Sequence, residues 1–263
     1  MIFGFQVCNH HLFGYLKDEN ILKPTKSLEA AMKFKVFIVS DFFVCCLLPG
    51  ISLAQNKVVV IPLDSGNCDC NVIPTVTSAG QVWMDRNLGS PKVAQAPNDY
   101  AAYGWLYQWG RLPDGHEIWR IGALSPGLSS SDIPGHPFFI TAPDSPYDWR
   151  SPQNPNLWQG VSGINNPCPA GFRVPTIAEW ETERASWSSN NALGAFASPL
   201  KLVQAGYRSG ANGTVSGQSI EGSYWSSTVS DNDARILFFI SIAASTQTSV
   251  QRAEGLSVRC IKD

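Results

Sequence analysis

The chain has 263 residues, with 19 Lys+Arg against 21 Asp+Glu and 15% of residues charged. A net charge of -2 excludes a polybasic nucleic-acid surface and an acidic disordered tail as organising features, while 44% hydrophobic residues suffice for a buried core. With 22 Gly, 18 Pro and 9 Trp it reads as a loop-rich globular chain, of one or two domains by length.

The first 54 residues differ from the rest. From Met32 the chain runs MKFKVFIVSDFFVCCLLPGISLAQ, with Lys33 and Lys35 as a positive region, an apolar run from Val36 to Leu48, and Ser52-Leu53-Ala54 as a small-residue cleavage signal. That order predicts a secretory signal peptide over 32–54, with 1–31 as an extension from a start codon assigned too early. The apolar run is interrupted by Asp41 and falls short of the roughly 20 residues needed to span a bilayer. A lipid anchor is disfavoured, because Gln55 rather than a cysteine follows Ala54. The expected location is therefore secreted or cell-surface.

The remainder, 55–263, keeps 14 Lys+Arg, 17 Asp+Glu, every tryptophan and four of the seven cysteines, Cys68, Cys70, Cys168 and Cys260. An even count in an exported chain predicts disulfides. Cys68 and Cys70 are one residue apart, where direct pairing would be strained. Cys168–Cys260, joining the middle of the domain to its last strand, is the preferred bridge. Zinc is the rival use of cysteine pairs, but Cys-Asp-Cys lacks the usual two-residue spacer, and His116 and His136 stand in Gly/Pro-rich surroundings. No metal and no cofactor are expected.

In chain order, Lys57–Leu63 reads as a strand leading into a linker that reaches 79. Gln81–Leu88 reads as a strand and turn. Asn98–Trp109 places a capping residue before an aromatic run that predicts a helix, weakened by Gly104. Residues 110–169 form a long loop region with Trp119, Trp149 and Trp158 as the pins expected to hold it. Thr176 with Glu179 forms a capping box, so a helix is predicted from there to about Trp187, with Ile177, Trp180 and Ala185 on its buried stripe. Leu202–Tyr207, Ser223–Ser227, Ala234–Ile242 and Leu256–Ile261 read as strands.

One combination of short blocks stands out: Cys168-Pro169-Ala170-Gly171-Phe172-Arg173-Val174-Pro175-Thr176 with Glu179-Trp180, Trp83-Met84-Asp85-Arg86-Asn87-Leu88, Ala205-Gly206-Tyr207-Arg208, Tyr224-Trp225-Ser226-Ser227-Thr228 and Gly255-Leu256-Ser257-Val258-Arg259-Cys260. Spread over 80–263, they resemble the Fibrobacter succinogenes major paralogous domain family. The resemblance implies an α+β, C-type-lectin-like fold with short antiparallel strands, about two helices and long ordered loops, and a structural role for Cys168 and Cys260.

The same pattern resembles the variable proteins of diversity-generating retroelements, whose lectin-like C-terminal segment displays a diversified ligand-binding surface. The matching stretch here is 226–252, with Ala234, Leu237 and Phe239 as framework. Leu237 and Phe239 share one strand face, so Ile236, Phe238 and Ile240 point oppositely. Two readings of that second face stand open. It is either a displayed apolar ridge or a strand covered on both faces. The ligand-contacting set expected for a displayed surface is Tyr224, Asp231, Asn232, Asp233, Arg235, Ile236, Phe238, Ile240, Ile242 and Thr246.

Other chemistries are poorly supported. The acidic, Pro-containing loop and Trp-Asn-Asp strand of calcium-dependent lectins are absent, and Asp231-Asn232-Asp233 alone does not supply the six to eight oxygens of a calcium site. The fold also resembles formylglycine-generating enzymes, but their paired active-site cysteines have no counterpart near the C-terminal strands. No Gly-x-Ser-x-Gly elbow surrounds Ser226 or Ser227, and His116-Glu117 lacks a second histidine. The expectation is a non-enzymatic binding module for a protein or glycan ligand on a cell or phage surface, with a structural surface protein as the alternative.

Overall fold

The computed structural model describes residues 73–120 and 122–263, together with the backbone of four short strands nearer the N-terminus. The chain forms two compact units, Met1–Val72 and Ile73–Asp263. In the first, β1 (Phe5–Cys8) pairs antiparallel with β2 (His11–Gly14), and β3 (Ile51–Ala54) with β4 (Lys57–Val60). The rest of the expected signal peptide, and Cys68 and Cys70, lie outside the described residues. Among the described residues no helix is long and apolar enough to cross a membrane.

The second unit is α+β, mostly strands with two helices and several small sheets. Its strands are β5 (Thr75–Ser78), β6 (Gln81–Met84), β7 (Tyr107–Gln108), β8 (Leu124–Ser125), β9 (Phe139–Ile140), β10 (Phe172–Arg173), β11 (Tyr207–Arg208), β12 (Val215–Ser216), β13 (Gly222–Ser230), β14 (Asp233–Phe239), β15 (Ala244–Ser245), β16 (Ser249–Gln251), β17 (Gly255–Leu256) and β18 (Ile261–Lys262). They assemble as β10-β18-β6-β5, as β12-β11-β17-β7, and as β13-β14-β15 with β16 also on β14; β8 and β9 form a separate parallel pair. β5, left in the linker by the sequence, is an edge strand of the first sheet. It turns into β6 through Ala79 and Gly80, whose φ of 47° and 77° give the twist a two-residue hairpin needs.

Helix α1 (Ile177–Ala185) begins at the predicted capping box, with both reciprocal bonds between Thr176 and Glu179 formed. Its buried residues are Trp180 and Glu183; Ala185 is exposed. The other expected helix, 98–109, is a 3-10 turn at Tyr100–Ala102 followed by β7. Gly104 explains the correction: at φ 71° it leaves the helical path, and a Cβ there would sit 2.5 Å from the Leu88 carbonyl. The second helix is instead α2 (Ala192–Ala197), where the sequence reads as turn; the Asn191 side chain caps it by accepting from the amides of Leu193 and Gly194.

The β13–β14 hairpin runs through the middle of the core. On one side Trp225, Ala234 and Ile236 join Tyr107, Trp109, Ile140, Trp149, Trp158, Leu256 and Cys260. On the other, Tyr224, Leu237 and Phe239 join Trp83, Trp180, Leu200 and Leu202. The alternation anticipated for Leu237 and Phe239 against Ile236 is therefore present, and both faces are covered at this level.

Tryptophan N–H groups tie the loops to this hairpin. Trp109 Nε1 donates to the Ser226 carbonyl (2.9 Å), Trp225 Nε1 to Tyr107 (2.6 Å), Trp180 Nε1 to Trp225 (3.0 Å) and Trp149 Nε1 to Trp109 (2.7 Å). Each buries a large ring while satisfying its one polar atom. In the 110–169 segment Trp149 and Trp158 are fully buried pins, and half-buried Trp119 donates to the Gly104 carbonyl. Cys168 and Cys260 are disulfide-bonded, with Cα atoms 5.9 Å apart across 92 positions.

Candidate ligand-binding groove

An open groove of about 430 Å³ lies between β14 and β16 on one side and β11 and β17 on the other. Ile236, Phe238, Val250 and Leu256 supply apolar wall, Tyr207 and Ser223 supply hydroxyls, and Asp233, Glu221 and Glu254 supply carboxylates. No Lys, Arg or His is among its lining residues. Its volume falls in the range of about 300–1,000 Å³ usual for small-ligand sites.

The carboxylates are held in an environment that opposes their charge. Burial pushes Glu254 up to about 7, with the nearby Glu221 adding to the effect and a hydrogen bond from the Gly210 backbone opposing it. Burial likewise raises Glu221, against a hydrogen bond from Ser223 Oγ to its Oε1 (3.2 Å). Asp233 is raised by burial and by Asp231, against the attraction of Arg252. Glu254 Oε2 is buried and accepts no hydrogen bond among the described residues. Such an oxygen is costly when ionised.

The residues expected to meet a ligand separate into distinct places. Asp233, Ile236 and Phe238 line this groove. Ile236 is only 2% exposed and belongs to the core, while Phe238 and Ile240 are half-buried and Ile242 is 81% exposed. Ile236, Phe238 and Ile240 therefore do not form one continuous displayed ridge. Arg235 and Thr246 line a second pocket of about 420 Å³ with Ile177, Glu181, Thr228 and Gln247. There the Thr246 hydroxyl donates to Glu181 Oε2 and Arg235 Nη1 donates to the Gln247 carbonyl (2.8 Å).

Tyr224 is a core residue. Its ring is fully buried, its hydroxyl donates to the Val203 carbonyl (3.0 Å) and accepts from the Val203 amide (2.9 Å) and Asn87 Nδ2 (3.1 Å). Asn87 Oδ1 in turn accepts from Arg259 Nη2 (2.8 Å), and Arg259 Nη1 reaches the Leu200 carbonyl (2.8 Å). A displayed role for Tyr224 is thus excluded by its packing.

The Asp231-Asn232-Asp233 turn is pinned through its backbone. Arg252 Nη2 donates to the carbonyls of Asp231 (3.0 Å) and Asp233 (3.5 Å), and Gln153 Nε2 donates to that of Asn232 (2.8 Å). Asp231 and Asn232 are exposed. Tyr207, Glu221, Ser223, Glu254 and Leu256 join the groove without any local sequence signal for it. Tyr207 and Leu256 lie in short sequence blocks of their own, and only the folded sheets bring them beside β14.

Elsewhere, Asp114, His116 and Glu117 place ligand atoms within 4.8 Å of one another, the one such set among the described residues. Their polar atoms already serve the fold. His116 Nε2 accepts the Gln108 amide (3.1 Å), so Nδ1 carries the proton and donates to Asp114 Oδ1 (2.8 Å). Asp114 Oδ2 accepts from Arg111 Nε (3.0 Å), and Glu117 Oε2 accepts from the Gly115 amide (2.9 Å). Burial pulls His116 down to about 4 despite its bond to Asp114. No family model matches the chain, and no curated protein or solved structure matches it.

Proposed function

We propose that the chain is an exported, non-catalytic binding protein with a C-type-lectin-like domain, and that it recognises a protein or glycan on a cell or phage surface through the groove beside β14 and the exposed turns around it. The observation that carries this reading is the groove itself. It opens beside the segment expected to vary, and Asp233, Ile236, Phe238, Thr248, Ser249 and Val250 all come from the stretch 226–252. Apolar wall with a few convergent polar groups is the usual composition of a recognition site. The disulfide suits an oxidising compartment.

The diversified-surface part of this reading is tested in the encoding DNA. A second, near-identical copy of the 226–252 codons, differing at adenines and at groove positions such as Phe238 and Ser249 while sparing Leu237 and Phe239, is the expected finding. Differences scattered equally over Leu237 and Phe239 would overturn it, since those side chains are core.

The alternative, a structural surface protein, is favoured by one observation. Leu193, at the start of α2, is 69% exposed and Ile242 is 81% exposed, and the Ala192 amide donates to the Ile240 carbonyl (2.8 Å), which brings their two segments together. Exposed apolar pairs of this kind suit contact with a neighbouring chain. Sedimentation over a concentration series separates the readings: concentration-dependent assembly lost in Leu193→Ser/Ile242→Ser supports the structural role, and a monomer throughout supports the binding module.

A further inference from the structure

The chemistry of the groove specifies more than its existence, if the groove is the recognition site proposed above. Its walls combine a partly exposed apolar strip from Phe238 and Val250, backed by the core residues Ile236 and Leu256, with three carboxylates, Glu221, Glu254 and Asp233, and no basic side chain lines it. The cation that acts on this cluster from nearby, Arg252, is committed elsewhere. Its guanidinium donates to the Asp231 and Asp233 carbonyls, lies 3.8 Å from Asp148 Oδ2, and stacks over the Trp109 ring at 4.8 Å. Glu221 and Glu254 repel one another when both are ionised. A donor-only, positively charged group on an apolar stem supplies what both surfaces lack, since it neutralises the pair and covers the apolar strip.

We propose that the groove takes a lysine side chain presented by a partner protein, with its ammonium against Glu254 and Glu221 and its methylene stem along Phe238 and Val250. The long stem of lysine buries on apolar surface while its head stays polar. The volume of about 430 Å³ accommodates one such side chain with its flanking backbone and is too small for a folded element. Charge complementarity favours this occupant over a sugar or an anionic peptide, because neither brings a cation to a site holding three carboxylates.

The test uses the purified full chain at pH 8, with methyl NMR signals of Ile236 and Leu256 as reporters. The probes are acetyl-Gly-Lys-Gly-amide, the same peptide with norleucine in place of lysine, and n-pentylammonium. The lysine peptide is expected to move both signals with an affinity about tenfold tighter than the norleucine peptide. Glu221→Gln/Glu254→Gln should remove that preference while leaving the norleucine peptide unchanged, which also shows that the variant groove is intact. Equal affinity of the two peptides overturns the cation proposal and leaves the groove as a recognition site. Binding of pentylammonium without the lysine peptide overturns the protein-borne source. Failure of every probe to move either signal overturns this proposal, while the recognition reading of the groove is then decided by ligands of other chemistry.

Discussion

Ile236 and Ile242 lie on the same connection, yet the structure assigns them opposite energetic roles. Ile236 is 2% exposed and packs in the cluster that contains Trp225 and Leu256, whereas Ile242 is 81% exposed in the loop after β14. Truncating either to alanine removes three carbon atoms. At Ile236 the lost transfer free energy is about 2.4 kcal/mol at ~0.8 kcal/mol per group. An unrefilled cavity raises the total to about 3–4 kcal/mol. The adjoining groove admits water on one side, which keeps the figure at the lower end of that range. At Ile242 the cost stays within about 0.5 kcal/mol. Urea unfolding of the two variants, followed by tryptophan fluorescence, separates these values cleanly. With a slope near 2 kcal/mol/M the Ile236→Ala midpoint falls by about 1.5 M, and Ile242→Ala leaves it in place. Matching midpoints for the two variants would refute the placement of Ile236 in the core and restore the continuous displayed ridge.

Three further outcomes follow from the packing and electrostatics. Replacing Cys168 and Cys260 together by alanine releases a 92-residue separation and should lower stability by about 4–5 kcal/mol in the chain-entropy account, measurable by denaturant unfolding; a loss under about 1 kcal/mol contradicts a structural bridge. Glu254 has a folded-state pKa raised from its ordinary value of 4.5 to about 7, so its protonated form favours the folded state below pH 4.5 and that contribution disappears as pH rises through 7. Glu254→Gln should therefore gain on the parent by roughly 1–2 kcal/mol between pH 4.5 and 8 after solvent screening, and a constant difference across that window counts against a desolvated carboxylate. His116, pulled down to about 4, should remain neutral with its proton on Nδ1 at pH 5.5 in nitrogen-detected NMR; a midpoint near 6.5 would contradict its burial.

Features set by adjacent residues are legible in the sequence. The Thr176–Glu179 box depends on four consecutive residues, and the helix starts there. The period-two alternation through Leu237 and Phe239 likewise places both on one face. Tertiary effects decide the rest. The aromatic run after Asn98 has helical spacing, but Gly104 must approach the Leu88 carbonyl and the chain leaves the helix. Helix α2 is obscured by Gly194 and its Ser/Asn-rich approach. That glycine is needed because a Cβ would lie 1.9 Å from the Ser189 carbonyl oxygen. An Asn191 cap before Ala-Leu-Gly-Ala-Phe-Ala was the signal available for it.

The candidate site was half legible for the same reason. Asp233, Ile236 and Phe238 are close in sequence and share one strand. Tyr207, Glu221 and Glu254 reach them only because β11 pairs with β17 while β16 pairs with β14, and no spacing rule links those positions. Arg235 and Thr246, expected to contact the ligand with Asp233, line instead the separate pocket on the α1 side, where the Thr246 hydroxyl donates to Glu181. The burial of Tyr224 leaves no local signal, because its hydrogen bonds to Val203 and Asn87 depend on distant segments.

On the function proposed above, the groove beside β14 is where the protein meets its ligand. A small-fragment screen on isotope-labelled protein, read at the methyl groups of Ile236, Val250 and Leu256, tests it most directly. Fragment hits are expected to concentrate on these three signals and to vanish in Phe238→Asp, with the rest of the spectrum unchanged. Hits gathered instead at Leu193 and Ile242, with the groove signals unmoved, would contradict it.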